Sequence, residues 1–469
     1  MSKLQLRIDR AAREPVSEQI AAGLRAAIRE GRLAPRARLP SWRDLASQLG
    51  VARGTVSAAY ERLLDAQLIV SLGAAGTFVA EHLPPSSRPR EVADAAGPSV
   101  PGGSIPSFPG RSGIFQMANP AQDLFPAKVW ARIMTSAVRA TSHARQINPD
   151  PRGELALRSE IAAYLSLARG LPCTAAQVFV TTGYAGSLSL AVQALGLRGT
   201  SAWTEDPGYP TTRRCLHALG VEPLPVPVDA EGLVVDEGVA RAPDAALAVV
   251  TAGQQAPLGV ALSARRRQAI LAWAERARAW VVEDDYLGEL QLGARAAPSL
   301  VAAGDDARVL HVGTFSKTIS PMLRLGFLVV PAAEVERFAR HAAVVPPAPA
   351  PLVQLAVAAF LRDGHFLRHL RRTRQVYAQR RAALVACLDA ASATYIAAGL
   401  TVLLRLAPGV SDLALAQSLA AHGLTPVPLS PWYAQPGPEN TGLLLGVADL
   451  RVEIAAETCA RLLTLVQQG

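Results

Sequence analysis

Residues 308–318 read Arg308-Val309-Leu310-His311-Val312-Gly313-Thr314-Phe315-Ser316-Lys317-Thr318. An apolar run suited to a buried strand ends in small hydroxyl residues and then in a lysine. Lysine is rare in this chain. Of its 47 basic residues only three are lysine: Lys3, Lys128 and Lys317. Elsewhere the chain uses arginine, which stays protonated and cannot attack a carbonyl. A desolvated lysine amine loses its proton more readily and can form a Schiff base. Lys3 lies at the N-terminus and Lys128 is expected to open a surface helix; on lysine scarcity alone Lys317 reads either as a surface lysine in a loop or as the residue for chemistry, and its surroundings favour the second.

Outward from this stretch, similar runs recur. Val178–Thr182, Ala248–Thr251, Trp280–Asp284 and Leu325–Val330 are continuously apolar rather than alternating, as parallel strands buried on both faces are. Helical stretches such as Ser263–Arg278 lie between them. The alternation predicts an α/β fold with a mostly parallel sheet from about residue 113 onward, the large part about 113–345 and a smaller C-terminal part about 346–469.

Several residues near Lys317 share one chemical use. Asp284 ends a strand, Tyr286 follows two residues later, and Arg324 lies seven residues after the lysine. If Lys317 holds pyridoxal phosphate (PLP), a carboxylate at Asp284 keeps the pyridine nitrogen protonated, so that the ring draws electrons. Tyr286 can reach the phenolic oxygen. Arg324, Thr314 and Ser316 can bind the phosphate. Gly183, Tyr184 and Ala185, where a strand passes into a helix, can offer backbone N–H groups to it.

The N-terminal segment is different. Residues 1–80 hold 12 Lys+Arg against 7 Asp+Glu, within a net charge of +9 for all 469 residues. Such a surplus suits a polyanionic partner. Val16, Ile20, Leu24, Ala27 and Ile28 share one helical face, and Gly31 stops that helix. Ser41 caps a short helix with Asp44 as the capping-box acid. Gly50-Val51-Ala52 turns the chain into a second helix from about Arg53 to Asp65, a helix-turn-helix. Strands around Gly73 and Gly76 form a wing. Residues 81–112 contain seven prolines and read as an extended linker, reaching on the order of 90 Å at about 3 Å per residue.

The four cysteines are far apart in sequence, which fits a reducing cytosol and no zinc ribbon. The charged N-terminus fits no signal peptide and no apolar run could span a bilayer, so a cytoplasmic protein with no membrane partner is expected.

The segment Leu39-Pro40-Ser41-x-Arg43-x-Leu45-Ala46, with Leu49-Gly50-Val51-x-Arg53-x-Thr55-Val56-x-x-Ala59-Tyr60, resembles the winged helix of the GntR family. The resemblance implies a double-stranded DNA operator. Arg43 and Arg53 would grip phosphates, Thr55 and Ser57 would enter the major groove, and Tyr60, Gly73 and Gly76 complete the candidate surface. Residues 113–469 resemble the fold-type I aminotransferases through Glu205-Asp206-Pro207-Gly208-Tyr209-Pro210, Glu283-Asp284-Asp285-Tyr286 and Gly313–Lys317. That likeness implies an aromatic at Tyr209 stacked on the cofactor ring. The two together resemble the MocR subfamily of regulators. This implies a homodimer with each winged helix on the partner's large domain, and an effector that is PLP, an amine or an amino acid.

Some positions depart from the aminotransferase pattern. Ala256 stands where an asparagine is expected, Asn148 where a tyrosine is, and Tyr184 where a small or polar residue is. No arginine occurs between residues 406 and 450 to hold a substrate carboxylate, and position 211 is Thr211. Arg213 and Arg214 are the nearest replacements. The leading reading is a PLP-dependent transcription regulator. A true aminotransferase with an accessory DNA-binding domain is the alternative, and a dimerisation domain that has lost the cofactor is a third.

Overall fold

The N-terminal periodicity folds as three helices and a wing: α1 (Val16–Arg29), α2 (Trp42–Leu49), α3 (Arg53–Asp65), β1 (Ile69–Ser71) and β2 (Thr77–Val79). The computed structural model describes residues 6, 8–12, 14–82, 113–117, 119–142, 148–292, 299–303, 308–345 and 348–468. The chain divides into two compact units, Met1–Pro98 and Ser99–Gly469. Most of the expected proline-rich linker, residues 83–112, lies outside the described residues.

In the first unit Ser41 caps α2, its hydroxyl accepting from the Asp44 amide at 3.1 Å. Gly50 ends α2 at φ +63, a left-handed conformation that costs glycine nothing and turns the chain into α3. Ile20, Leu24, Ile28, Leu45, Val56 and Leu63 are buried together. Each such aliphatic side chain contributes about 1.5–3 kcal/mol on leaving water. β1 and β2 pair antiparallel, Ile69 opposite Val79.

The second unit begins with α4 (Ala127–Ser142) and α5 (Leu155–Tyr164). Then come β3 (Val178–Thr181), α6 (Tyr184–Leu195), β4 (Ser201–Asp206), α7 (Pro210–Ala218), β5 (Glu222–Asp229), β6 (Gly232–Leu233), α8 (Val235–Arg241), β7 (Leu247–Val250) and α9 (Ala264–Ala277). They continue with β8 (Trp280–Asp284), β9 (Val309–Thr314), β10 (Gly326–Val329), α10 (Val335–Val344), α11 (Pro351–Arg362) and α12 (His365–Ala390). The last elements are β11 (Tyr395–Ala398), β12 (Thr401–Arg405), α13 (Asp412–Ala421), β13 (Val427–Pro428), β14 (Gly442–Gly446) and α14 (Ala455–Gln468).

The main sheet has eight strands in the order β3-β10-β9-β8-β7-β4-β5-β6. The pairs β4–β5, β4–β7, β7–β8 and β8–β9 are parallel, so the expected α/β class with a mostly parallel sheet holds. Continuous apolar runs serve it because both faces are covered. On β8, Val281 packs into one helical layer and Val282 into the opposite one. One expectation is corrected. The run at 325–330 forms β10, and β10 is antiparallel to both of its neighbours. A doubly buried strand is apolar throughout whichever way it runs, so its composition carried no direction. A second sheet, β11-β12-β14-β13, is antiparallel throughout, with Leu403 opposite Leu444.

Candidate functional site

In open α/β sheets ligands collect at the carboxyl ends of the parallel strands. Here β8 ends at Asp284, β9 at Thr314, and β3 at Thr181, just before Gly183 and α6. The reversed β10 starts at that same edge, Gly326 pairing with both Thr314 and Thr181. A Cβ on Gly326 would lie 2.8 Å from the Gly183 Cα, so only glycine lets β10 come this near the loop. Arg324, two residues before Gly326, is thereby brought to the rim.

The cavity at this edge holds about 220 Å³. Its walls include Lys317, Asp284, Tyr286, Tyr209, Thr314, Ser316, Arg324, Gly183, Tyr184 and Ala185. These ten candidates, spread over more than a hundred residues of sequence, surround one space. The Ser316 amide donates to Thr314 Oγ1 at 3.1 Å and shapes the turn before the lysine. The Tyr184 hydroxyl and Thr212 Oγ1 share a 2.6 Å hydrogen bond, which anchors the bulky residue at the start of α6.

The electrostatics suit a reactive amine. Burial pushes Lys317 down to about 8, against the opposing pull of Asp284. Burial, Asp285 and Glu205 raise Asp284 to about 8, while Lys317 and His311 pull the other way. Burial raises Glu205 to about 7, although the Thr251 amide and hydroxyl both donate to it, at 3.0 and 2.6 Å. Burial also carries the Tyr286 hydroxyl well above its ordinary value. Behind Asp284, burial would raise Glu283, but His311 at 3.2 Å, Ser299 and the Leu300 amide outweigh it and hold this carboxylate low. Arg169 pairs with Asp285 at 2.5 Å.

Sequence reasoning missed part of the cavity wall: Met117, Pro321 and Trp432. Met117 carries no sequence signal. Trp432 had only a weak one, an aromatic pair with Tyr433 between Pro431 and Pro436. Its ring centroid lies 5.8 Å from that of Tyr209, which lies 6.0 Å from Tyr184. Ala256 and Thr211, noted as departures from the aminotransferase pattern, also line this wall. Asn148 is exposed, and Asp150 beside it holds Arg152 and Arg158, each at 2.9 Å.

Arg213 is corrected as a carboxylate clamp. Its Nη1 donates to the carbonyls of Gly208 and Trp432 at 3.3 and 2.9 Å, and its Nη2 to those of Pro431 and Tyr433 at 3.1 and 3.3 Å. The guanidinium joins α7 to the 431–433 loop. The strand on which the clamp was sought, β14, is buried along its whole length.

In the winged unit Arg53 opens α3 and is exposed, and Thr55 and Ser57 are half-buried in its first turns. Arg43 is exposed at the start of α2, its guanidinium 4.8 Å from the Trp42 ring centre. Gly73 and Gly76 form the tip between β1 and β2. Tyr60 is corrected: it is 5% exposed, its hydroxyl donates to the Pro40 carbonyl at 2.8 Å, and it packs in the core instead of offering a face to DNA. Its helical phase with Val56 and Leu63 decides this.

Residues 16–79 match the bacterial regulatory proteins of the gntR family, and residues 116–467 match aminotransferase class I and II. Over 463 residues the chain is 32% identical to the probable rhizopine catabolism regulatory protein MocR of Rhizobium meliloti, covering 94% of this chain and 92% of that one. The chain belongs to the MocR-type regulators of the gntR family. Another relative of this MocR-type regulator is the pyridoxine biosynthesis transcriptional regulator PdxR of Corynebacterium glutamicum, 32% identical with 92% of each chain covered. Its aminotransferase unit resembles an archaeal alanine:glyoxylate aminotransferase at TM-score 0.69 and 22% identity, covering 76% of this chain and 91% of that one. It also resembles the α-aminoadipate aminotransferase LysN of Thermus thermophilus at TM-score 0.67 and 27% identity, covering 76% and 92%. The regulator is therefore a helix-turn-helix transcription regulator carrying an aminotransferase fold. Among the described residues no helix is long and apolar enough to cross a membrane.

Proposed function

We propose that this regulator binds PLP at Lys317 and a double-stranded operator through its winged helix, and that the state of the cavity sets the response. The effector is PLP itself, or an amine or amino acid that reacts with it. The protein acts in the cytoplasm as a homodimer, each winged helix on the partner's large domain. One observation carries the reading: a half-buried lysine, its amine held down to about 8 by desolvation, shares a cavity with Asp284, Tyr286 and Arg324.

The donor set fits the cofactor. Arg324, Thr314, Ser316 and the N–H groups opening α6 would hold a phosphate. Asp284 would sit at the pyridine nitrogen, whose proton adds a positive partner to a buried carboxyl. Tyr286 would donate to the phenolic oxygen, and Tyr209 would stack on the ring. When bound, PLP supplies a carbonyl carbon open to amines and a ring that draws electrons from it. The similar LysN structure carries a phosphopyridoxyl-leucine, and PdxR is named for pyridoxine biosynthesis.

The test is an absorbance spectrum of the protein with PLP, borohydride reduction and mass analysis of the Lys317 peptide. Mobility shifts on the DNA upstream of its own gene follow, with and without PLP. Reduced cofactor on Lys317 and a PLP-dependent shift are expected. Failure to retain PLP would overturn the reading. Rapid multiple turnover of an amino acid with a keto acid would replace it by the aminotransferase alternative.

A further inference from the structure

We infer that the cavity's Trp432 side is a subsite for a primary amine whose body is apolar and bears no carboxylate. The inference rests on the PLP-binding reading and names its effector class. The cavity has two unlike ends. Arg324, Thr314, Ser316 and the N-terminus of α6 make one end suited to an anion. The other end presents Met117, Ala256 and Trp432, and behind it Ala256 and Trp432 pack with Leu403, Leu429 and Leu444. Among the described lining residues Arg324 is the only guanidinium. With that cation engaged by the phosphate, a carboxylate against Trp432 would lose its hydration and gain no cation. An aromatic or aliphatic group there exchanges water for apolar contact.

Of the two nearby cations that the sequence offered, Arg214 is not among the residues lining the cavity and Arg213 is committed elsewhere. Arg213 directs both of its terminal nitrogens to four backbone carbonyls, and swinging toward a ligand would strip all four. The same bonds hold Trp432 by its backbone. Trp432 is 3% exposed, and its indole N–H is buried with no acceptor among the described residues. No polar bond therefore pins the ring, which is held by its packing with Leu403, Leu429 and Leu444. An amine suits the Lys317 end. With PLP held at Lys317, the amine nitrogen would take the place of Nζ on the cofactor's carbonyl carbon: a C=N bond to the incoming nitrogen would replace the C=N bond to Nζ, and both hydrogens of the incoming amine would pass to Nζ. Nothing is oxidised or reduced.

The experiment uses the full chain loaded with PLP, with loading first measured by absorbance. Calorimetric titrations then compare matched pairs, 2-phenylethylamine with phenylalanine and tryptamine with tryptophan. Each amine is expected to bind at least about tenfold tighter than its amino acid, a difference of about 1.4 kcal/mol. Trp432→Ala is expected to weaken the amines about tenfold and Trp432→Phe to restore most of that, which separates a ligand contact from a folding defect. Thr211→Arg, which adds a cation at the wall, is expected to move the preference toward the amino acids. Equal or tighter binding of the amino acids by the unaltered protein overturns the inference, as does binding of neither amine. If PLP is not retained at all, the proposed function fails first and this inference with it. If PLP is retained and the pairs do not differ, only this inference fails.

Discussion

Arg213 Nη1 donates to the Trp432 carbonyl at 2.9 Å across 219 residues of sequence. Two further bonds reinforce this junction. The Gly208 amide donates to the same carbonyl at 3.0 Å, and Asp206 accepts from the Ala434 amide at 2.8 Å. The two cavity aromatics, Tyr209 and Trp432, are thus carried by segments bolted to each other.

Arg213→Ala is expected to cost about 2 kcal/mol of stability, since charge-assisted bonds to carbonyls are lost and the carbonyls stay partly buried. Arg213→Lys should recover only part, because one compact ammonium cannot reach the four carbonyls that the guanidinium fork spans. Urea denaturation of the three proteins measures this. An unchanged midpoint for Arg213→Ala would mean the junction is held by other contacts.

Lys317→Ala should abolish borohydride-fixed cofactor, since the one other described lysine, Lys128, is exposed at the start of α4 and does not line the cavity. In the unaltered protein, loading by PLP should speed up as pH rises through about 8, where Nζ loses its proton. Stopped-flow absorbance across pH 6.5–9.5 reads this rate. A flat profile would refute the depressed amine.

Asp284 gives a stability signature in the PLP-free protein. Its carboxyl is raised from 3.8 to about 8 on folding, so the folded state holds a proton the unfolded chain gives up. That stabilisation is full below pH 4 and is lost as pH rises to about 8. Glu205, raised to about 7, acts with the same sign. Asp284→Asn should therefore flatten the decline of Tm between pH 4 and 8. A variant as steep as the parent would show that other groups cause the decline.

Arg53→Ala should weaken operator binding and lower the salt slope by about one, the signature of a lost phosphate contact. Binding measured from 50 to 200 mM salt decides it, and an unaltered slope would move the phosphate contact away from the start of α3.

Tyr60→Phe removes the bond to Pro40 but keeps the ring. A loss of about 1 kcal/mol in stability is expected, with the choice of DNA bases unchanged. Altered base preference at any operator position would return Tyr60 to the DNA surface.

The sequence by itself determined the element types and much of the candidate site. Lys317, Asp284 and Gly183 stand at or just past the ends of apolar runs, and in a buried parallel sheet such ends gather at one edge whatever the strand order. Ser41 and Gly50 likewise set the helix-turn-helix through local capping and turn chemistry. The tertiary structure alone decided what depends on direction or on distant partners. β10 runs antiparallel, which brings Arg324 to the cavity, and burial on both faces leaves the same apolar composition in either direction. Arg213 is taken by carbonyls from another part of the chain, and Tyr60 by Pro40. Trp432 reaches the cavity through a loop whose partners lie more than two hundred residues away. Residue spacing encodes which face is buried; it does not encode what that face will meet.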